Sequence, residues 1–129
     1  MIKEAYVSYE IAKLLKEKGF DEYCDNYYDQ SSDKPQQLTL DEMHYSYDEF
    51  IKAPTHQMAC AWLRERNICI TPEIHITQDP KDYFWSATIF YLDKPWDIIQ
   101  FVYEESKSIS EGYDDVIEQA IKYALENLI

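Results

Sequence analysis

The stretch ICITPEIHITQDPKDYFWSATIFYLDKPWDIIQFVYE, residues 68–104, decides the fold. From Ile68 the apolar period is two: Ile68, Ile70, Ile74 and Ile76 point one way, while Cys69, Thr71, Glu73, His75 and Thr77 point the other, the pattern of a half-buried strand. Pro72 lacks the amide donor that a central strand needs, so this strand belongs at a sheet edge. Asp79-Pro80-Lys81-Asp82 has type I turn chemistry and leads into a second strand, Tyr83 to Leu92. Asp93-Lys94-Pro95-Trp96 turns again into a third, Asp97 to Glu104. Three consecutive strands joined by short turns predict an antiparallel meander.

Simple register through the loop Gln78 to Asp82 pairs Thr77 with Tyr83, and hence Ile76 with Phe84, Ile70 with Phe90 and Ile68 with Leu92. Through the second turn Leu92 faces Asp97, and Ile99, Phe101 and Tyr103 join the same core face. The opposite face then carries His75, Trp85, Ile89, Tyr91, Ile98 and Val102, which is too apolar to be left in water. Either the chain's own first helix covers it, with Tyr27 and Tyr28, or a partner protein or a second copy does. The predicted partner-binding residues are therefore Trp85, Tyr91, Ile89, His75, Tyr27 and Tyr28.

Working outward, Ala53-Pro54-Thr55 is a helix start, and Met58, Ala59, Trp62 and Leu63 form an apolar stripe ending near Asn67. After the meander, Ile117, Ala120, Ile121, Ala124, Leu125 and Leu128 make a wide apolar arc on a helix over residues 113–128. Upstream, Ser8 caps a helix running to Lys18, with Ile11, Leu14 and Leu15 at helical spacing and Gly19 as the stop. The segment between, residues 20–52, is acidic and tyrosine-rich without sustained periodicity, so it reads as loop with a short strand around Leu38 to Leu40. The fold class expected is α+β: helix 1, a tyrosine-rich loop, then αβββα with a three-stranded antiparallel meander packed by helices, as one domain over residues 1–129. The αβββα order is similar to that of double-stranded-RNA-binding domains. Asp114 and Asp115, however, stand where that family presents lysines to phosphates, so a similar layout implies no shared activity.

Composition narrows the function further. The 25 acidic and 12 basic residues give a formal charge of -13, spread over the whole chain, and a polyanion repels the phosphates that supply most nucleic-acid affinity. Neither DNA nor RNA is an expected partner. With only Gly19 and Gly112, no glycine-rich phosphate loop can be written. Lys3, Glu4 and Glu10 interrupt the N-terminal apolar residues before they reach the length of a signal peptide or membrane span, and Cys24, Cys60 and Cys69 are an odd number of thiols. A cytoplasmic protein with reduced thiols and no membrane partner is expected.

Three stretches carry a resemblance: VSYEIAKLLKEKGFDEYCDNYYD from Val7 to Asp29, APTHQMACAWLRE from Ala53 to Glu65, and EQAIKYALENLI from Glu118. Together they resemble uncharacterised small proteins encoded in phages, prophages and mobile elements of gut Bacteroidales. The resemblance implies a genomic setting and supplies no catalytic residues.

Each residue set that could carry chemistry has a plainer explanation. His56 and Cys60 have the i, i+4 spacing of a shared metal on a helix, with Cys69 just beyond. Yet Cys69 and His75 lie about 20 Å apart along one strand at ~3.3 Å per residue, and no CxxC pair exists, so neither a metal nor a cofactor is expected. The serines show no nucleophile-elbow context, each histidine is isolated, and Asp41 to His44 reads as an exposed turn. No catalytic residue is assigned and no enzymatic activity is expected. The reading is an acidic protein-interaction module, one that modulates a host or phage protein. The alternative is a DNA-mimic-type inhibitor, whose carboxylates would imitate phosphates and occupy a nucleic-acid-binding protein.

Overall fold

The computed structural model describes residues 4–29, 37–39, 50–76, 83–103 and 109–129. They form an α+β chain in the order α1 (Tyr9–Glu17), β1 (Asn26–Asp29), β2 (Gln37–Thr39), β3 (Phe50–Lys52), α2 (His56–Arg64), β4 (Ile68–Ile76), β5 (Tyr83–Tyr91), β6 (Ile99–Tyr103) and α3 (Ile109–Asn127). The residues cluster into two compact units, Met1–Ala59 and Cys60–Ile129, divided within α2.

In the first unit, α1 starts where Ser8 accepts the Ile11 amide on its hydroxyl at 3.3 Å, satisfying one of the donors a helix start leaves unpaired. It stops at Gly19, whose φ of +94° turns the chain so that the Phe20 amide donates back to the Leu15 carbonyl at 2.9 Å. Ile11, Ala12 and Leu15 are buried, and α1 packs on β3. The segment expected to be loop holds a small antiparallel sheet in the order β2-β1-β3, with Tyr27 opposite both Leu38 and Lys52. Its strands of three or four residues are too short to show an alternation, which explains why the sequence pattern reads as loop. The strand expected around Leu38 to Leu40 is β2, while Leu40 lies outside the described residues. The chain before α1 is tied to the start of α2: the Val7 amide donates to the Pro54 carbonyl at 3.0 Å and the His56 amide to Ala5 at 2.9 Å.

Thr55 caps α2 as the sequence suggests, accepting the Met58 amide at 3.1 Å. In the second unit, β4, β5 and β6 form the expected antiparallel meander, with β4 and its Pro72 at the edge. The register differs by one residue from simple turn arithmetic. Ile76 pairs with Tyr83, Ile74 with Trp85, Ile70 with Ile89 and Ile68 with Tyr91; further along, Ile89 faces Ile99 and Ala87 faces Phe101. A one-residue slip exchanges the two faces of β5. Trp85, Ala87 and Ile89 therefore belong with Ile68, Ile99 and Phe101 on one face, and α3 packs there. Tyr113 of α3 meets the Trp85 ring edge to face at 5.3 Å, and Tyr123 meets Phe101 at 5.4 Å. Helix α3 begins at Ile109, upstream of the expected 113, and buries Ile117, Ala120, Ile121, Ala124 and Leu125 of the expected arc; Val116 joins them, while Leu128 is only half-buried.

Candidate protein-interaction surface

The face of the meander away from α3 carries Cys69, Thr71, Glu73 and His75 from β4, Phe84, Ser86, Thr88 and Phe90 from β5, and Gln100 and Val102 from β6. At its β4 end, His75 stacks parallel on Phe84 at 4.6 Å and shares a 2.8 Å hydrogen bond with the buried Ser86 hydroxyl; Glu73 is 3.8 Å from the same imidazole nitrogen. This corner is polar and internally bonded.

The other end, at the β5–β6 turn, has the opposite character. The last ladder pair is Ile89 with Ile99, so continuing it brings Phe90 beside Ile98, on the face away from α3. Phe90 and Ile98 are exposed, as are Leu92, Val102 and the turn residue Trp96, which is 87% accessible. An apolar cluster of this kind beside a rigid ladder is typical of a surface that meets another molecule. Its rim is acidic. Asp93 and Asp97 lie in the same turn, which is closed by the Lys94 amide donating to Tyr91 at 2.9 Å and the Asp97 amide donating to Lys94 at 3.1 Å. Asn67, in the left-handed conformation with φ of 65°, anchors the turn from the β4 side. Its carbonyl accepts the Leu92 amide at 2.9 Å, and its side-chain amide donates to Asp93 at 3.4 Å.

The six residues predicted for partner binding do not form this surface. Ile89 is fully buried on the α3 face, Trp85 is half-buried against Tyr113, and Tyr91 shares their side of the ladder. The register slip moved all three from the outer face to the inner one. Partial burial, and then a hydrogen bond to Asp93, raise the pKa of the Tyr91 phenol. His75 is on the outer face as predicted, but in its bonded corner. Tyr27 and Tyr28 belong to β1 of the first unit: Tyr27 is buried, and the Tyr28 hydroxyl donates to the Val7 carbonyl at 2.7 Å while its ring meets Tyr9 edge to face. Ile98 and Val102 are outward-facing, as the sequence suggests. The residues that sequence reasoning passed over are Phe90, Leu92 and Trp96. The available signal was Trp96 itself, a large apolar side chain at the end of a four-residue turn.

No group of three or more His, Cys, Asp or Glu side chains able to hold a metal occurs among the described residues, and Cys24, Cys60 and Cys69 are free thiols. Burial raises the pKa of Cys24 and of Cys60 to about 11, which leaves both protonated and poorly nucleophilic near neutral pH. No helix among the described residues is long and apolar enough to cross a membrane. Protein-family models, curated proteins and solved structures gave no match to the chain.

Proposed function

We propose that the chain is a non-catalytic protein-interaction module of phage or mobile-element origin, working in the cytoplasm and docking through the apolar tip of the β5–β6 hairpin. The observation that carries this reading is the exposed cluster Phe90, Leu92, Trp96 and Ile98 on a turn braced by Asn67. An exposed indole with only two torsions to order, carried on a well-bonded backbone turn, is an anchor of the kind that dominates binding energy at interfaces. Asp93 and Asp97 at its rim, together with a net charge of -13, fit a partner with an apolar pocket bordered by lysine or arginine. The same cluster counts against mimicry of DNA, which needs a continuous run of carboxylates rather than acids flanking an apolar tip.

The test compares affinity captures from the native host with wild-type and Trp96→Asp baits. A partner enriched by the wild type and depleted at least tenfold with the variant, while circular dichroism is unchanged, is the expected result. Identical captures would overturn the assignment of the surface. Sedimentation of both proteins covers the remaining occupant: a dimer lost in Trp96→Asp would place a second copy of the chain on the tip.

A further inference from the structure

In the first unit, α1, the Phe20 turn and β3 enclose a cavity of about 410 Å³, within the size range of small-molecule sites. Phe20 and Phe50, both nearly buried, border it with apolar edges, while Ile51, the neighbour of Phe50 on β3, turns its side chain to the opposite face of the strand. Two cations line it, Lys16 from the last turn of α1 and Lys52 from the end of β3. Asp21 also lines it, bonded to Lys52 at 3.1 Å, but its side chain is almost fully exposed, so this ion pair is weak and replaceable. Among the described residues the lining thus carries two ammonium groups and one carboxylate, a net positive charge within a chain of net charge -13. A concave apolar wall with paired ammonium groups beside it selects one ligand chemistry. A metal cation meets repulsion, and an inorganic anion leaves the wall without a partner. A neutral apolar molecule leaves both lysines unused.

We propose that this cavity binds a small amphipathic carboxylate, with its apolar body against Phe20 and Phe50 and its carboxylate between Lys16 and Lys52. Lysine suits this role because its ammonium is a mobile point charge on a flexible stem, able to follow the carboxylate without bidentate geometry. The ligand displaces Asp21 from Lys52 and replaces an exposed ion pair with one partly shielded by the apolar wall. The proposal uses no residue of the hairpin tip and stands independently of the docking surface.

The probe is 4-phenylbutyrate, titrated at low salt into uniformly ¹⁵N-labelled full-length protein, with 4-phenylbutan-1-ol as its neutral twin and inorganic phosphate as a bare anion. Saturable amide shifts centred on Lys16, Phe20 and Ile51 are expected, with affinity at least tenfold weaker for the alcohol and for phosphate. Lys16→Glu and Lys52→Met should each weaken phenylbutyrate at least tenfold while leaving the remaining spectrum in place. Should Lys52→Met fail to fold, Lys16→Glu at an exposed helix position and the alcohol comparison decide the matter. Equal affinity for acid and alcohol, equal shifts with phosphate, shifts centred on Phe90 to Ile98, or no saturable binding would each overturn the proposal.

Discussion

The pair Ile89 and Phe90 tests the strand register directly, because neighbouring residues on a strand face opposite sides of the sheet. Ile89 lies in the middle of the core between the sheet and α3 with no exposed surface, whereas Phe90 is 38% accessible on the other face. Ile89→Ala removes three carbons from a fully buried site, a transfer loss of about 2.5 kcal/mol at roughly 0.8 kcal/mol per methylene. The cavity left behind brings the total into the range of about 2–5 kcal/mol. Phe90→Ala removes a larger side chain from a face that is already wet, so only part of its area counts and the cost should stay near about 1 kcal/mol. Urea unfolding followed by circular dichroism reads both. With a slope of roughly 1–3 kcal/mol/M, Ile89→Ala should lower the midpoint by about 1 M or more, and Phe90→Ala by well under that. The register that pairs Ile70 with Phe90 makes the opposite forecast. A Phe90→Ala protein destabilised as much as Ile89→Ala would refute the observed register and the surface built on it.

Three further outcomes follow from single side chains. Trp85 Nε1 is buried with no hydrogen-bond partner among the described residues, so Trp85→Phe, which keeps a ring against Tyr113 and deletes the N–H, should change thermal stability by no more than about 1 kcal/mol; a larger loss would mean that this N–H is bonded. Cys24 and Cys60, with pKa values raised to about 11, favour the protonated native state, so stability should be intact below the ordinary thiol pKa and fall as pH rises from about 9 towards 11. Their alkylation by iodoacetamide should be slow at pH 8 and accelerate over that same window, and fast labelling of both at pH 7 in the folded protein would contradict it. Gly19→Ala meets no neighbouring atom but must adopt φ of +94°, so it should destabilise by about 1 kcal/mol in chemical unfolding, and a neutral result would show that the α1 stop can rearrange.

The sequence displays the meander, its edge strand and the caps of α1 and α2 because each depends on local chemistry: Pro72, Ser8, Thr55 and Gly19 act within a few residues of themselves. Register is different, since it depends on how many residues the first hairpin loop takes up. Ile76 faces Tyr83 rather than Phe84, and the segment between lies outside the described residues. The strand YFWSATIFY is apolar at both parities, so period alone cannot orient it. A weaker signal was present. Ser86 and Thr88 share one parity, and pairing them with Thr71, Glu73, His75 and Gln100 collects the polar residues of all three strands on one side. Ala87 on the other parity is the small residue that lets a helix approach. Giving the polar pattern more weight than the turn count would have oriented β5 correctly and placed Trp85 and Ile89 beneath α3.

Correcting the register shifts the exposed apolar surface without abolishing it. An outer face carrying Trp85, Ile89 and Tyr91 would have been apolar at the centre of the sheet, where the chain's own elements could cover it. With those side chains beneath α3, the outer face carries the polar Thr71, Thr88 and Gln100, which tolerate water, beside a buried Ser86 bonded to His75. Of the exposed large side chains of the sheet, Phe90, Leu92, Trp96 and Ile98 gather towards the β5–β6 turn, apart from Ile74 and Ile76 at the far end of β4. A tip offers less area than a sheet face, so affinity there must come from a few anchors seated in a concave partner rather than from broad flat contact. The acidic rim then sets encounter more than dissociation, because exposed charges act mainly on association and are screened by salt. Binding through this tip should therefore slow in association as salt rises, while loss of the Trp96 indole should speed dissociation, and the two effects are separable by kinetics on one and the same partner.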